Sequence, residues 1–257
     1  MGADRTMALS FSLVVPTVYG QMIVNRHDIN QTNALFKTGR SIDHVEIALL
    51  SQILGGLAGL GGELTFLDVG ANFGTFSLAL APLVGPGGKV HAFEPQRILF
   101  NMLAGTMALN SLTNVHCHHV AVGDRVGEIE VPQFNYHQPL NFGSIEFGPS
   151  QRERLTQERG NDPARFETVA LTTLDRFAFP RVDLLKIDAE GMEHQVLTGA
   201  AATIERCRPV MFVEHTKAGT EALRHRLQCL NYQVHEAGPN FLCIPAELAA
   251  RMKVCGR

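Results

Sequence analysis

Five short apolar runs, most of them separated by helix-like stretches, constrain this chain more than any other feature. From Leu64 onward they read "LTFLDV", "KVHAFEP", "NVHCHHVAV", "VDLLKID" and "PVMFVEH". Strands this apolar are buried on both faces, and a parallel sheet covered by helices provides that environment. Helical periodicity fills most of the gaps, over residues 75–83, 97–109 and 193–205. Near the end, the helical "TEALRHRLQCL" leads into "NYQVHEA" and "NFLCIPA" around Gly238 and Pro239, a hairpin signal. The pattern predicts an α/β fold with a seven-stranded, mostly parallel, Rossmann-like sheet, a C-terminal antiparallel hairpin and helices on both faces.

The region ahead of those runs has a different character. Residues 1–40 are mixed and weakly periodic, which suits strands or loops lying across a later core. "SIDHVEIALLSQILGGLAGL" then predicts a helix with Ser41 as N-cap and Asp43 and Glu46 at its positive end. Ile42, Val45, Leu49 and Ile53 form its expected apolar stripe. Gly61 and Gly62 precede the first strand, so residues 1–62 are expected to be an N-terminal segment over the ligand side of a domain spanning 63–257. That segment could support dimerisation or act as a lid. Pro132 to Thr168 breaks the alternation with a polar stretch rich in Gly, Pro and Asn, the expected substrate-facing insertion at about 132–168.

Composition narrows the partners. Of 257 residues, 45% are hydrophobic and 18% charged, which suits a folded chain and excludes disorder. A net charge of −3 gives no global attraction for nucleic acid or an anionic membrane. Arg152, Arg154, Arg159 and Arg165 form only a modest, acid-diluted basic stretch. Cysteines at 117, 207, 229, 243 and 255 include no CxxC pair and suit a reducing compartment. The chain lacks a membrane-length apolar run, and its opening lacks a basic region and a clear cleavage site. A cytoplasmic protein that acts on neither nucleic acid nor membrane is expected.

The stretch "TFLDVGANFGTFSLALA" carries the ligand signal: strand, Asp68, then Gly70 and Gly74 flanking Asn72, then a helix start. Glycine lets a ligand approach the backbone, and free N–H groups at a helix start attract polar groups. The dinucleotide fingerprint would need glycine at Asn72, and no phosphate-binding lysine pattern is present. An acid at Asp68 would repel a pyrophosphate, but would attract the amino end of S-adenosylmethionine directly or through the turn. Glu94, ending "KVHAFEP", can accept hydrogen bonds from a ribose diol.

These segments, together with "NVHCHHVAVGDRVGEIEV", "TTLDRF" and "VDLLKIDAEGMEHQVLTGA", resemble the FkbM family of S-adenosylmethionine-dependent methyltransferases in order and spacing, over roughly Leu64 to Glu214. The resemblance implies a class I methyltransferase fold and, most often, transfer to a hydroxyl oxygen of a small molecule, sugar or other secondary metabolite. Carried over by position, the cofactor residues are Asp68, Gly70, Asn72, Gly74 and Glu94. Asp124 is a candidate for the adenine amino group, or equally a hairpin-turn acid.

Methyl transfer to an alcohol needs alignment and a place for the proton. "KIDAEGMEH" offers Lys186 and Asp188 on one face of a strand at the sheet edge where ligands bind, then Glu190 and Glu193. Helix-end stabilisation accounts better for Glu193 and about equally well for Glu190. His215 is a second candidate base. Asn141 to Ser144 are candidates for acceptor or cofactor contact. No dedicated metal-ligand spacing is present, because His116 to His119 alternate across a strand. The expected function is O-methylation of a small-molecule or glycosyl hydroxyl. The alternatives are an NAD(P)-dependent oxidoreductase and a non-catalytic S-adenosylmethionine-binding protein.

Overall fold

A computed structural model of the chain describes residues 9–143 and 166–249. The parallel strands are β3 (Thr65–Val69), β4 (Lys89–Phe93), β5 (Val115–His118), β9 (Leu184–Ile187) and β10 (Val210–Glu214), and β11 (Tyr232–Ala237) and β12 (Asn240–Pro245) form the closing hairpin. They make one seven-stranded sheet in the order β11-β12-β10-β9-β3-β4-β5, with β12 antiparallel to β10. The strand order reverses direction between β3 and β9, and the crevice outside the carboxyl ends at such a point is where open α/β sheets bind ligands. The predicted α/β architecture is therefore present.

One face of the sheet packs Leu67, Val69 and Ile187 against Val196, Leu197 and Ile204 from α5 (Glu193–Gly199) and α6 (Ala201–Cys207), with Leu223 and Leu227 from α7 (Thr220–Cys229). The single helix expected over 193–205 is broken at Ala200. On the other face, Phe66, Leu184 and Phe212 meet α2 (His44–Ala58) and α3 (Thr75–Leu80). Here the expected stripe is corrected. The helix buries Ile47, Leu50 and Leu54, whereas Ile42 and Val45 face solvent. The difference is one of rotation. The chain enters at Asp43, because Ser41 spends its hydroxyl on Gln31 and Asp43 instead of capping the helix.

Residues 9–40 form a β-hairpin, β1 (Ser12–Thr17) and β2 (Gly20–Asn25), followed by α1 (Gln31–Thr38). Met22 and Val24 pack with Leu99, Leu103 and Met107 of α4 (Arg97–Leu109) and with Phe134, Tyr136 and Phe142. The run expected as one strand over 114–122 is split. It supplies β5 to the main sheet and β6 (Ala121–Val122) to a separate three-stranded sheet with β7 (Gly127–Pro132) and β8 (Phe166–Thr172). Ser144 and the four insertion arginines lie outside the described residues. Among the described residues, no helix is long and apolar enough to cross a membrane.

Candidate active site

The carboxyl ends of β3, β4 and β9 converge on a cleft lined by Gly70, Asn72, Glu94, Gln96, Leu99, Gly143, Asp188 and Glu190. The turn after β3 is pinned to β4 because Gly70 and Ala71 both donate their N–H to the Phe93 carbonyl, at 3.0 and 2.9 Å. Gly70 has φ 75°, and a Cβ there would sit 1.8 Å from the Asp188 carbonyl oxygen, so only glycine lets the β3 and β9 loops touch. Gly74, at φ 92°, lies against Leu103 and Met107 of α4, where a Cβ would come within 2.7 and 2.8 Å. Asn72, also left-handed at φ 53°, is a residue type that tolerates this conformation.

Beneath the turn, Asp68 and Lys186 are register partners on adjacent parallel strands, so their side chains emerge on the same face. Asp68 is fully buried. It accepts a hydrogen bond from Ser77 Oγ at 2.7 Å, and its other oxygen lies 3.4 Å from Lys186 Nζ, an ion-pair separation without a formed hydrogen bond. The Lys186 ammonium also donates to the Gly70 carbonyl at 3.3 Å and to Asp188 Oδ2 at 3.5 Å, and sits 5.0 Å from the centre of the Phe76 ring. Burial opposes the charge on Lys186, but Asp188, Asp68 and, from the start of α2, Asp43 outweigh it and hold the ammonium above the usual lysine range. The buried lysine is thus a permanent cation. Asp68 has no surface facing the cleft, so its influence on a ligand passes through the turn and Lys186. Asp188 is the outer member, with its side chain about one-third exposed at the cleft.

Glu94 ends β4 and points inward, 4% exposed. Its two oxygens accept the backbone N–H groups of Asn72 and Gln96 at 2.9 and 2.8 Å. Burial outweighs these bonds and raises its carboxyl to about 7. Each carboxylate oxygen retains accepting capacity, so a diol can still be received. Gln96, which precedes α4, donates its amide to the Phe142 carbonyl at 2.9 Å, and its Oε1 has no hydrogen-bond partner among the described residues. Sequence reasoning passed over Gln96, Ser77 and the long-range role of Asp43. For Gln96 a signal existed in its place two residues after the strand-end acid. For the other two the relevant neighbours are set only by the sheet.

The remaining candidates separate. Glu190, left-handed at φ 54°, lines the cleft and is ion-paired with Lys217. Burial and the Asp188 charge push its carboxyl up against the pull of that lysine. Glu193 turns back to accept the N–H groups of Ala189 and Gly191 at 3.0 and 3.1 Å, holding the loop that carries Glu190. His215 is not brought to the cleft. Its ring stacks on Phe241 at 4.2 Å, and its nitrogens lie 3.2 and 3.3 Å from Thr220 Oγ1 and the Gly238 carbonyl, away from the residues that line the cleft. Asp124 lies between β6 and β7 with its carboxylate 3.1 Å from Arg125, and is absent from the cleft lining. His116 and His118 share one face and stack with His91 on the neighbouring strand. Among the described residues, no three His, Cys, Asp or Glu side chains are grouped to hold a metal.

A glycine-pinned turn, an acid ready for a diol and an unpartnered buried amide oxygen together fit an adenosyl ligand. Several known proteins are similar to this chain. The methyltransferase sdnD of Sordaria araneosa is 30% identical over 167 residues, covering 56% of this chain and 62% of that protein. The chain therefore spans less than two thirds of that relative's length. The solved methyltransferase FkbM from Methylobacillus flagellatus KT has 18% identity and a TM-score of 0.48, over 72% of this chain and 44% of that one. The tRNA (uracil-54, C5)-methyltransferase of Pyrococcus abyssi, solved with S-adenosyl-L-homocysteine, has 15% identity and a TM-score of 0.46, over 88% and 40%. Residues 68–238 match the family described as the methyltransferase FkbM domain, and the chain belongs to that family, with S-adenosylmethionine as its cofactor.

Proposed function

We propose that this protein transfers a methyl group from S-adenosylmethionine to a hydroxyl oxygen of a small-molecule or glycosyl acceptor. The observation that carries this reading is the Lys186–Asp188 pair. A permanently charged, buried ammonium lies behind a carboxylate that is open to the cleft. The nicotinamide alternative is set aside by the family match.

When bound, the cofactor supplies a methyl group attached to a sulfonium leaving group. Glu94 and the Asn72 turn hold the nucleoside half. Asp188 accepts a hydrogen bond from the acceptor hydroxyl, orients its oxygen in line, and takes the proton released as the new C–O bond forms. Lys186, 3.5 Å from Asp188 Oδ2, fixes the position of that carboxylate. Glu190, ion-paired with Lys217, lines the same cleft as Asp188 and bounds the space for the acceptor. The modest net charge supports a small acceptor over nucleic acid. The chemistry uses no membrane contact, and a cytoplasmic setting remains our expectation.

The test is methyl transfer to a panel of hydroxylated small molecules and glycosides, followed by mass spectrometry. Asp188→Asn should lower the rate by about 10²–10⁴-fold while S-adenosylhomocysteine affinity stays within a few-fold. Methylation confined to a carbon centre or to RNA would overturn the assignment. Undiminished transfer by the Asn variant would remove Asp188 from it.

A further inference from the structure

Gln96 is 2% exposed, yet it lines the cleft beside Glu94, Asn72 and Gly143. Its Nε2 donates to the Phe142 carbonyl at 2.9 Å. A carbonyl can only accept, so this contact fixes the orientation of the amide. Oε1 must then be the atom left over, and it has no partner among the described residues. A buried amide oxygen without a donor costs free energy that an incoming N–H or O–H recovers.

The position limits which donor that can be. Gln96 follows the end of β4, and its own backbone N–H donates to Glu94 Oε1 at 2.8 Å, so it belongs with the ribose-facing acid. The Lys186–Asp188 pair is carried by β9, with β3 lying between β4 and β9 in the sheet. The adenosine half of the cofactor offers three donors: the 6-amino group and the 2′- and 3′-hydroxyls. The other end of the same side chain holds Phe142 and thereby Gly143, which approaches Asn72 so closely that a Cβ there would lie 2.2 Å from Asn72 Nδ2.

Building on the methyltransferase reading above, we propose that Gln96 reads a hydrogen-bond donor of the adenosine moiety through Oε1, while its Nε2 holds the 141–143 turn against the bound nucleoside. Gln96 is thus a cofactor-specificity residue that also positions the first part of the insertion.

Titration calorimetry tests this with S-adenosylhomocysteine and three analogues: the inosyl form, which lacks the 6-amino group, and the 2′-deoxy and 3′-deoxy forms. Wild-type protein should bind at least one analogue roughly tenfold or more weakly, and the analogue whose penalty shrinks in the Gln96 variant identifies the donor. Gln96→Leu should weaken S-adenosylhomocysteine binding by a similar factor and should no longer discriminate against that analogue, because the two losses describe one bond. Gln96→Met, of similar length, serves if the leucine variant does not fold. Equal affinity of the wild type for all four ligands overturns the proposal. So does a Gln96 variant that binds S-adenosylhomocysteine as the wild type does, or that keeps the wild-type discrimination. Folded wild-type protein that binds none of the four would instead overturn the methyltransferase reading itself.

Discussion

With its ammonium 3.4 Å from Asp68 and 3.5 Å from Asp188, Lys186 shares one buried positive charge between a carboxylate sealed under the turn and one open to the cleft. Removing the lysine leaves buried Asp68 with the Ser77 hydroxyl but no counter-charge, which for a buried pair costs about 3–5 kcal/mol. Lys186→Met should therefore lower unfolding free energy by that order in urea titration. The double variant Lys186→Met with Asp68→Asn should recover part of the loss, since no lone charge then remains buried. Glu94 carries a second prediction. Its folded value of about 7 lies above the ordinary 4.5, so its contribution to stability is complete below 4.5 and is lost as pH rises through about 7. Ligand hydroxyls favour the ionised form, so binding acts in the opposite sense. S-adenosylhomocysteine affinity should strengthen as pH rises through about 7, with proton release visible by calorimetry in buffers of different ionisation heat. In Glu94→Gln, binding should be weaker and this step absent.

Among the elements, α2 separates composition from placement. Its sequence is apolar around most of its circumference, so periodicity alone could not settle which side is buried, and the stripe through Ile42 and Val45 was misplaced. The sheet face decides, because Phe66, Leu184 and Phe212 offer a surface only to Ile47, Leu50 and Leu54. Leu50→Ala should cost about 2–5 kcal/mol, whereas Val45→Ala, 64% exposed, should change stability by no more than about 0.5 kcal/mol. Chemical denaturation of the two variants side by side checks both values. The strands of the main sheet were far more legible, because buried parallel strands must be continuously apolar. The run from Asn114 to Val122 was not, since consecutive residues enter two different sheets and no local pattern records the change.

At the scale of the whole molecule, the N-terminal hairpin and the first part of the insertion form one continuous cover beside the cleft. Asn25, fully buried, donates to the Tyr136 carbonyl at 3.0 Å and accepts the His27 N–H at 2.9 Å. Leu140 donates to the His27 carbonyl and Ile29 donates to the Leu140 carbonyl, while Asp28 bridges Leu140. Phe142 then passes the connection to Gln96. Two segments more than a hundred residues apart are thereby tied together beside the Gln96 side of the cleft. Asn25→Ala should cost about 1–3 kcal/mol. It should also speed amide exchange at Ile29 and Leu140 together, as read by hydrogen-exchange mass spectrometry, and leave β9 and β10 protected.

The sequence by itself determined what depends on near neighbours: the alternation of strand and helix, the glycine turn after β3, and the acids at the ends of β3, β4 and β9. Those are properties of short runs, governed by backbone sterics and by burial on both faces. Only the tertiary structure decided which charges meet and which side chains reach the cleft. It joined Lys186 to Asp68 by placing β9 beside β3, turned His215 onto Phe241, and drew Gln96 to Phe142. The reason is physical. The strength of a charge pair or hydrogen bond depends on distance and on exclusion of water, and both are set by how distant segments pack.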